Sequence, residues 1–162
     1  MTRRLLPIAL LAAVALGGPL PTLANTLPGK SSAVGIVPHA ALRTELVEYR
    51  DGDQLLEGYF AWDESNSGRR PGVLVVHEWT GINDHTRAVT ERLAKLGYAA
   101  LAVDVYGKGV RPSAPKEAGA EAGKYKQNRA LFRQRLLAGH RTLLKQRQVD
   151  PERTAAIGYC FG

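Results

Sequence analysis

Cysteine is nearly absent from this sequence: Cys160 is the single one in 162 residues. An internal disulfide is therefore excluded, and with it a disulfide-stapled scaffold. No metal-ligating pattern is present either. His77-Glu78 starts an H-E-x-x-H spacing, but position 81 is Gly81. Lys30-Ser31 follow Gly29 as in a phosphate loop, yet the first glycine of that motif falls on Ala24 and no strand precedes it. There is no internal repeat and no low-complexity tract. With 44% hydrophobic and 23% charged residues, the composition is globular rather than disordered. The formal charge is +7, but the cations Lys124, Lys126, Arg129, Arg133 and Arg135 are spread along a helical pattern. They lack the clustering and stacking aromatics of a nucleic-acid surface, and they read as a solvated helix face. No cofactor motif appears.

Residues 1–24 read as a signal peptide. Arg3-Arg4 form a positive start, and residues 5–16 form an apolar core shorter than the roughly 20 residues that span a bilayer. Pro19 and Pro21 break any helix, and Thr22-Leu23-Ala24 predicts cleavage after Ala24. The mature protein is then periplasmic or secreted, without stable membrane association. An uncleaved anchor is the other reading. Thr2-Arg3-Arg4 fits a twin-arginine export pattern only in part. Residues 25–43, with Pro28, Gly29, Gly35 and Pro38, read as a mature N-terminal arm.

Residues 44–162 read as a partial α/β domain. Residues 44–50 and 55–62 flank the turn Asp51-Gly52 and predict a β-hairpin. The apolar run Val73-Leu74-Val75-Val76 suits a parallel strand covered on both faces. Residues 84–96 predict a helix with Val89, Leu93 and Leu96 on one face, ended by Gly97. A strand is expected over 98–103, then a Gly/Pro-rich loop over 104–115. Residues 116–148 read as one largely helical run, with Phe132, Leu136 and Leu143 buried and with Gly123 and Gly139 weakening it. Asp150-Pro151 marks a turn before a last strand over 154–159. The order β-β-β-α-β-α-β predicts a largely parallel sheet behind an N-terminal hairpin.

Two segments carry chemistry. Gly158-Tyr159-Cys160-Phe161-Gly162 is the cysteine form of G-x-S-x-G, the nucleophile elbow, in which a strand stops abruptly and presents a side chain above the sheet. A thiolate there attacks acyl carbon once a helix N-terminus or a histidine lowers its pKa. In this motif the acid and the histidine follow the nucleophile in the chain. His39, His77, His85 and His140 all precede it, so none fits. His140 reads as a helix-face residue and His85 as a solvated one. The second segment, His77-Glu78-Trp79-Thr80-Gly81, lies at the carboxyl end of a buried strand. There open parallel sheets bind ligands, and hydrolases of this type draw an oxyanion-hole N–H.

Three segments together resemble the dienelactone hydrolase family of α/β hydrolases. They are residues 75–83 around Glu78, residues 96–107 ending in Asp104-Val105-Tyr106-Gly107, and residues 149–162 ending in the elbow. The resemblance implies Cys160 as nucleophile and Glu78 as the glutamate contacting the resting thiol. It implies Trp79 and Phe161 as backbone donors to an oxyanion. An arginine of the family that grips a substrate carboxylate falls on Lys108, with Arg111 nearby. Lysine cannot make the bidentate fork, so the resemblance does not carry over the dienelactone substrate itself. The family's aspartate and histidine have no matching positions here. Such domains run to roughly 200–250 residues. The chain is therefore expected to be the N-terminal part of an exported, cofactor-independent hydrolase of small-molecule esters or lactones. Two other readings stay open: an inactive fragment or binding module that keeps the fold, and a protein with a redox-sensitive Cys160.

Overall fold

The computed structural model describes residues 41–162. The expected signal peptide and most of the arm lie outside the described residues. β1 (Leu42–Asp51) and β2 (Gln54–Asp63) form the predicted antiparallel hairpin, joined through Gly52 at φ 60°. β1 begins two residues before the expected start. β3 (Arg70–Val76), α1 (Asp84–Lys95), β4 (Ala99–Val103), α2 (Pro115–Gln127), α3 (Arg129–Leu144) and β5 (Val149–Gly158) follow. The sheet order is β1-β2-β4-β3-β5; β2 pairs antiparallel with β4, while β4, β3 and β5 run parallel. Parallel strands need covering on both faces. Accordingly, all five residues of β4 and Val73–Val76 of β3 are buried.

Helix ends follow from local chemistry. Asn83 caps α1, its side chain accepting from the Thr86 N–H at 2.9 Å. Gly97, at φ 94°, ends the same helix in a Schellman turn. Its own N–H reaches the Ala94 carbonyl, and the Tyr98 N–H reaches the Leu93 carbonyl. Leu96, expected on the buried face, is instead the C-cap and 69% exposed; Thr86, Val89, Thr90 and Ala94 form that face.

The single helical run expected over 116–148 is broken at Asn128. That side chain accepts from the Leu131 N–H at 3.0 Å and starts α3 as a new helix. A short amide side chain here satisfies the orphan donors of a helix start better than it continues a helix. Of the expected stripe, Leu143 is fully buried, while Phe132 and Leu136 pack at the core margin. Gly139 is not a weak point of α3. It is where the helix meets β4, since a Cβ there would fall 2.2 Å from Val103 Cγ2. The Asp150-Pro151 turn lies inside β5 as an irregularity: Pro71 pairs with Asp150 and the next residue, Gly72, pairs with Thr154.

Candidate active site

At the end of β5 the chain turns sharply. Cys160 has φ 56°, and among the described residues it is the one non-glycine residue with positive φ. That conformation costs a residue bearing a Cβ roughly 1–2 kcal/mol. The surrounding backbone over-determines it. The Gly162 N–H bonds the Tyr159 carbonyl at 3.0 Å. A Cβ on Gly158 would sit 2.4 Å from the Gly162 carbonyl carbon, and one on Gly162 would sit 2.7 Å from Val76 Cβ. Both glycines of the motif are therefore required by close approach. The Cys160 side chain is exposed, whereas Phe161 beside it is 6% exposed. The Phe161 ring packs against Phe132, Tyr106, His77 and Tyr125 at centroid distances of 5.1, 5.5, 5.7 and 6.4 Å. A buried anchor thus follows an exposed thiol.

Beside the elbow runs the loop after β3. The Glu78 carboxylate accepts from Asn83 Nδ2 at 3.1 Å and Thr86 Oγ1 at 3.2 Å, and lies 3.4 Å from His85 Nε2. Its partners thus come from the start of α1; among the described residues the Cys160 thiol is not one of them. His85 in turn packs edge-on against Tyr159, at 5.5 Å. This histidine is exposed, as expected, and it also links the glutamate to the elbow. Trp79 is 39% exposed, and its carbonyl accepts from the Tyr106 hydroxyl at 2.9 Å. Among the described residues neither the Trp79 nor the Phe161 amide donates a backbone hydrogen bond. Free N–H groups of this kind are what an oxyanion site requires.

His77 lies beneath both segments with no solvent exposure. Its Nδ1 is 2.6 Å from the Glu78 carbonyl, and its Nε2 accepts from the Val105 N–H at 3.3 Å. Burial is the main cause that holds its pKa below the ordinary value of 6.5. Asp104 and Glu78 oppose that shift, and Arg111 adds to it. The Tyr106 phenol is pushed above its ordinary range, chiefly by burial, and remains a donor.

The loop after β4 turns on Asp104, which is fully buried. Its carboxylate accepts the N–H groups of Tyr106 and Gly107 at 3.1 Å each and of Glu57 at 3.0 Å. Arg111 donates to the Val110 and Gly107 carbonyls at 2.8 and 3.3 Å and lies 3.6 Å from Asp104. Its guanidinium knits this loop together. Lys108 pairs with Glu48, and with Glu57 at 3.7 Å. Its ammonium is thus committed to carboxylates of the hairpin. The expected substrate grip would require Lys108 to release both. Tyr106, His77 and Tyr159 fell within the sequence motifs without an assigned role, because the contacts that give them one cross between loops.

Among the described residues no group of three or more His, Cys, Asp or Glu side chains is placed to hold a metal. No described helix is long and apolar enough to cross a membrane.

The sequence and the fold have counterparts among known proteins. A Synechocystis sp. protein named "Putative carboxymethylenebutenolidase" is 33% identical over 127 residues, which cover 75% of this chain and 51% of that protein. The solved structure of a protein designated m3DLH superposes with a TM-score of 0.73 at 40% identity, covering 75% of this chain and 51% of the other. A dienelactone hydrolase-like promiscuous phosphotriesterase from metagenomic libraries gives 0.72 at 41% identity, with the same coverage. The chain thus spans about half the length of the relatives it matches. The five-stranded mixed sheet with its helices is that part of an α/β-hydrolase fold. The model of the dienelactone hydrolase family matches residues 56–162, from the second hairpin strand through the elbow, and the chain belongs to that family.

Proposed function

We propose that the protein is the N-terminal half of an exported hydrolase that cleaves small-molecule esters or lactones through Cys160. The observation that carries this reading is the φ of 56° at Cys160, held between two glycines that have no room for a Cβ. Strain of this kind in a cysteine whose thiol is exposed is explained by presentation of a nucleophile.

In the proposed reaction Cys160 Sγ, as thiolate, attacks the acyl carbon. The carbonyl oxygen takes the negative charge and is met by the amides of Trp79 and Phe161. The ester C–O bond then breaks, the leaving alkoxide takes a proton, and a thioester remains. Water attacks the thioester and releases the carboxylic acid and the thiol. The order of the motif assigns the proton transfers to a histidine, oriented by an aspartate, from the half of the family length that this chain does not span. No cofactor is needed. Residues 1–24 support export, with Asn25 as the mature N-terminus.

The test is hydrolysis of p-nitrophenyl esters by the complete gene product. Cys160→Ala is expected to abolish turnover while leaving the circular dichroism melt cooperative. Undiminished turnover in that variant overturns the reading. The 162-residue chain alone is expected to show no turnover.

A further inference from the structure

His77 is buried, polar and titratable, and the acyl-transfer steps above make no use of it. Its two ring nitrogens face partners that demand opposite roles. The Glu78 carbonyl, 2.6 Å from Nδ1, can only accept, so Nδ1 carries the proton. The Val105 amide, 3.3 Å from Nε2, can only donate, so Nε2 presents its lone pair. Those partners select one neutral tautomer.

The Glu78 carbonyl belongs to the same planar peptide unit as the Trp79 N–H. In a trans peptide the two point in opposite directions. A donor that fixes the carbonyl toward the buried imidazole therefore turns the Trp79 N–H away from it. The Gly81 N–H reinforces this from the same side, at 3.3 Å from the Glu78 oxygen. The next carbonyl, that of Trp79, is held by the Tyr106 hydroxyl at 2.9 Å. On its face the His77 ring carries Phe161, nearly parallel, with 10° between planes at 5.7 Å. Phe161 supplies the other free amide.

We propose that His77 is a positioning residue for the oxyanion site, its Nδ1–H setting the Glu78–Trp79 peptide while its ring seats Phe161. One buried side chain thereby fixes two backbone donors that follow different strands, β3 and β5. The inference rests on the hydrolase reading above. It differs from a plain core-filling role because it requires one tautomer and acts on acyl transfer rather than on the thiol itself.

Two measurements on the complete gene product test it. First, nitrogen-15 spectra of histidine-labelled protein, with the His77 signals identified by their loss in His77→Gln, are expected to show the neutral Nδ1–H form at pH 7. An Nε2–H or doubly protonated ring overturns the proposal whatever the variants do. Second, His77→Phe keeps an aromatic ring against Phe161 but removes both hydrogen bonds. Misplacement of a reacting group by about 1 Å costs on the order of 100-fold. The kcat for ester hydrolysis is therefore expected to fall about 10- to 100-fold, with KM and the rate of Cys160 alkylation by iodoacetamide little changed. Gln, which offers one donor and one acceptor, is expected to recover part of the loss. Unchanged kcat in His77→Phe, or alkylation falling in step with kcat, overturns the proposal. If Cys160→Ala is inactive while His77→Phe is fully active, this inference fails alone. If Cys160→Ala remains active, the hydrolase reading fails first.

Discussion

The Tyr49 hydroxyl holds both backbone groups of Asp104, accepting from its N–H at 2.9 Å and donating to its carbonyl at 3.1 Å. A strand of the hairpin thus fixes a loop 55 residues further along the chain. The fixed residue then carries the site loop on its carboxylate, through the amides of Tyr106 and Gly107. Tyr106 in turn holds the Trp79 carbonyl. The hairpin, which bears none of the candidate chemistry, therefore helps define where the Trp79 peptide lies.

Tyr49→Phe removes a single oxygen and leaves two buried main-chain groups without partners. An unsatisfied buried group costs about 1–3 kcal/mol. The variant is expected to lose about 2 kcal/mol in urea unfolding, and a loss below a few tenths would show that water replaces the hydroxyl.

Two glycines of the helical run, Gly123 and Gly139, are expected to respond oppositely to alanine. At Gly139 the new Cβ lands 2.2 Å from Val103 Cγ2, in a fully buried strand. Overpacking of this kind costs about 1–3 kcal/mol. At Gly123 the nearest atom is Gln127 Nε2 at 3.9 Å, the end of a flexible side chain. There alanine is expected to stabilise by up to about 1 kcal/mol through helix propensity alone. Thermal melts of the two variants check the pair, and equal effects would contradict the close crossing of α3 over β4.

These two positions also mark what the sequence could and could not tell. Gly139 and Gly123 look alike within a helical pattern, and only the neighbour across the core separates them. The hairpin, the buried β3 run and the elbow were legible because turn chemistry, hydrophobic patterning and glycine spacing are local. The break at Asn128 was not, since an asparagine in a helical run becomes a cap only when the chain bends there. Lys108 was placed by motif position beside a substrate. Its partners Glu48 and Glu57 come from the hairpin, and no spacing within the loop announces them. His85 is exposed as the sequence suggested, but its contacts to Glu78 and Tyr159 were not legible, because they belong to two other segments.

Cys160 is expected to trade stability against chemistry. Glycine adopts φ 56° without the steric penalty that a Cβ incurs. Cys160→Gly is therefore expected to be more stable than Cys160→Ala by about 1 kcal/mol, while both lack the thiol. Chemical unfolding of the two variants measures the difference. Equal stability would mean that the positive φ is not strained. Gly158→Ala acts in the other direction. Its Cβ meets main chain, the Gly162 carbonyl carbon at 2.4 Å, which no side-chain rotation relieves. The elbow is expected to open, and turnover of the complete protein to fall at least about 100-fold.

Acid is expected to weaken the fold through His77. Its folded pKa lies below the ordinary 6.5, first because burial disfavours the imidazolium. Asp104 and Glu78 pull the value back and Arg111 adds to the depression, without reversing the direction. The unfolded chain therefore binds the proton more readily than the folded one. By linkage, stability rises with pH wherever the unfolded state carries more protons. The contribution of His77 is complete above about 6.5 and is lost progressively as pH falls from there toward the depressed folded value. Protonation in place would also turn Nε2 into a donor facing the Val105 N–H, which itself donates to that atom at 3.3 Å. Urea unfolding at pH 7.5, 6.5, 5.5 and 4.5 tests this, with His77→Gln as the reference, since glutamine does not titrate. The wild-type protein is expected to lose more stability than the variant across the two steps below pH 6.5. Parallel curves would mean that His77 is protonated as easily in the folded protein as in the unfolded one.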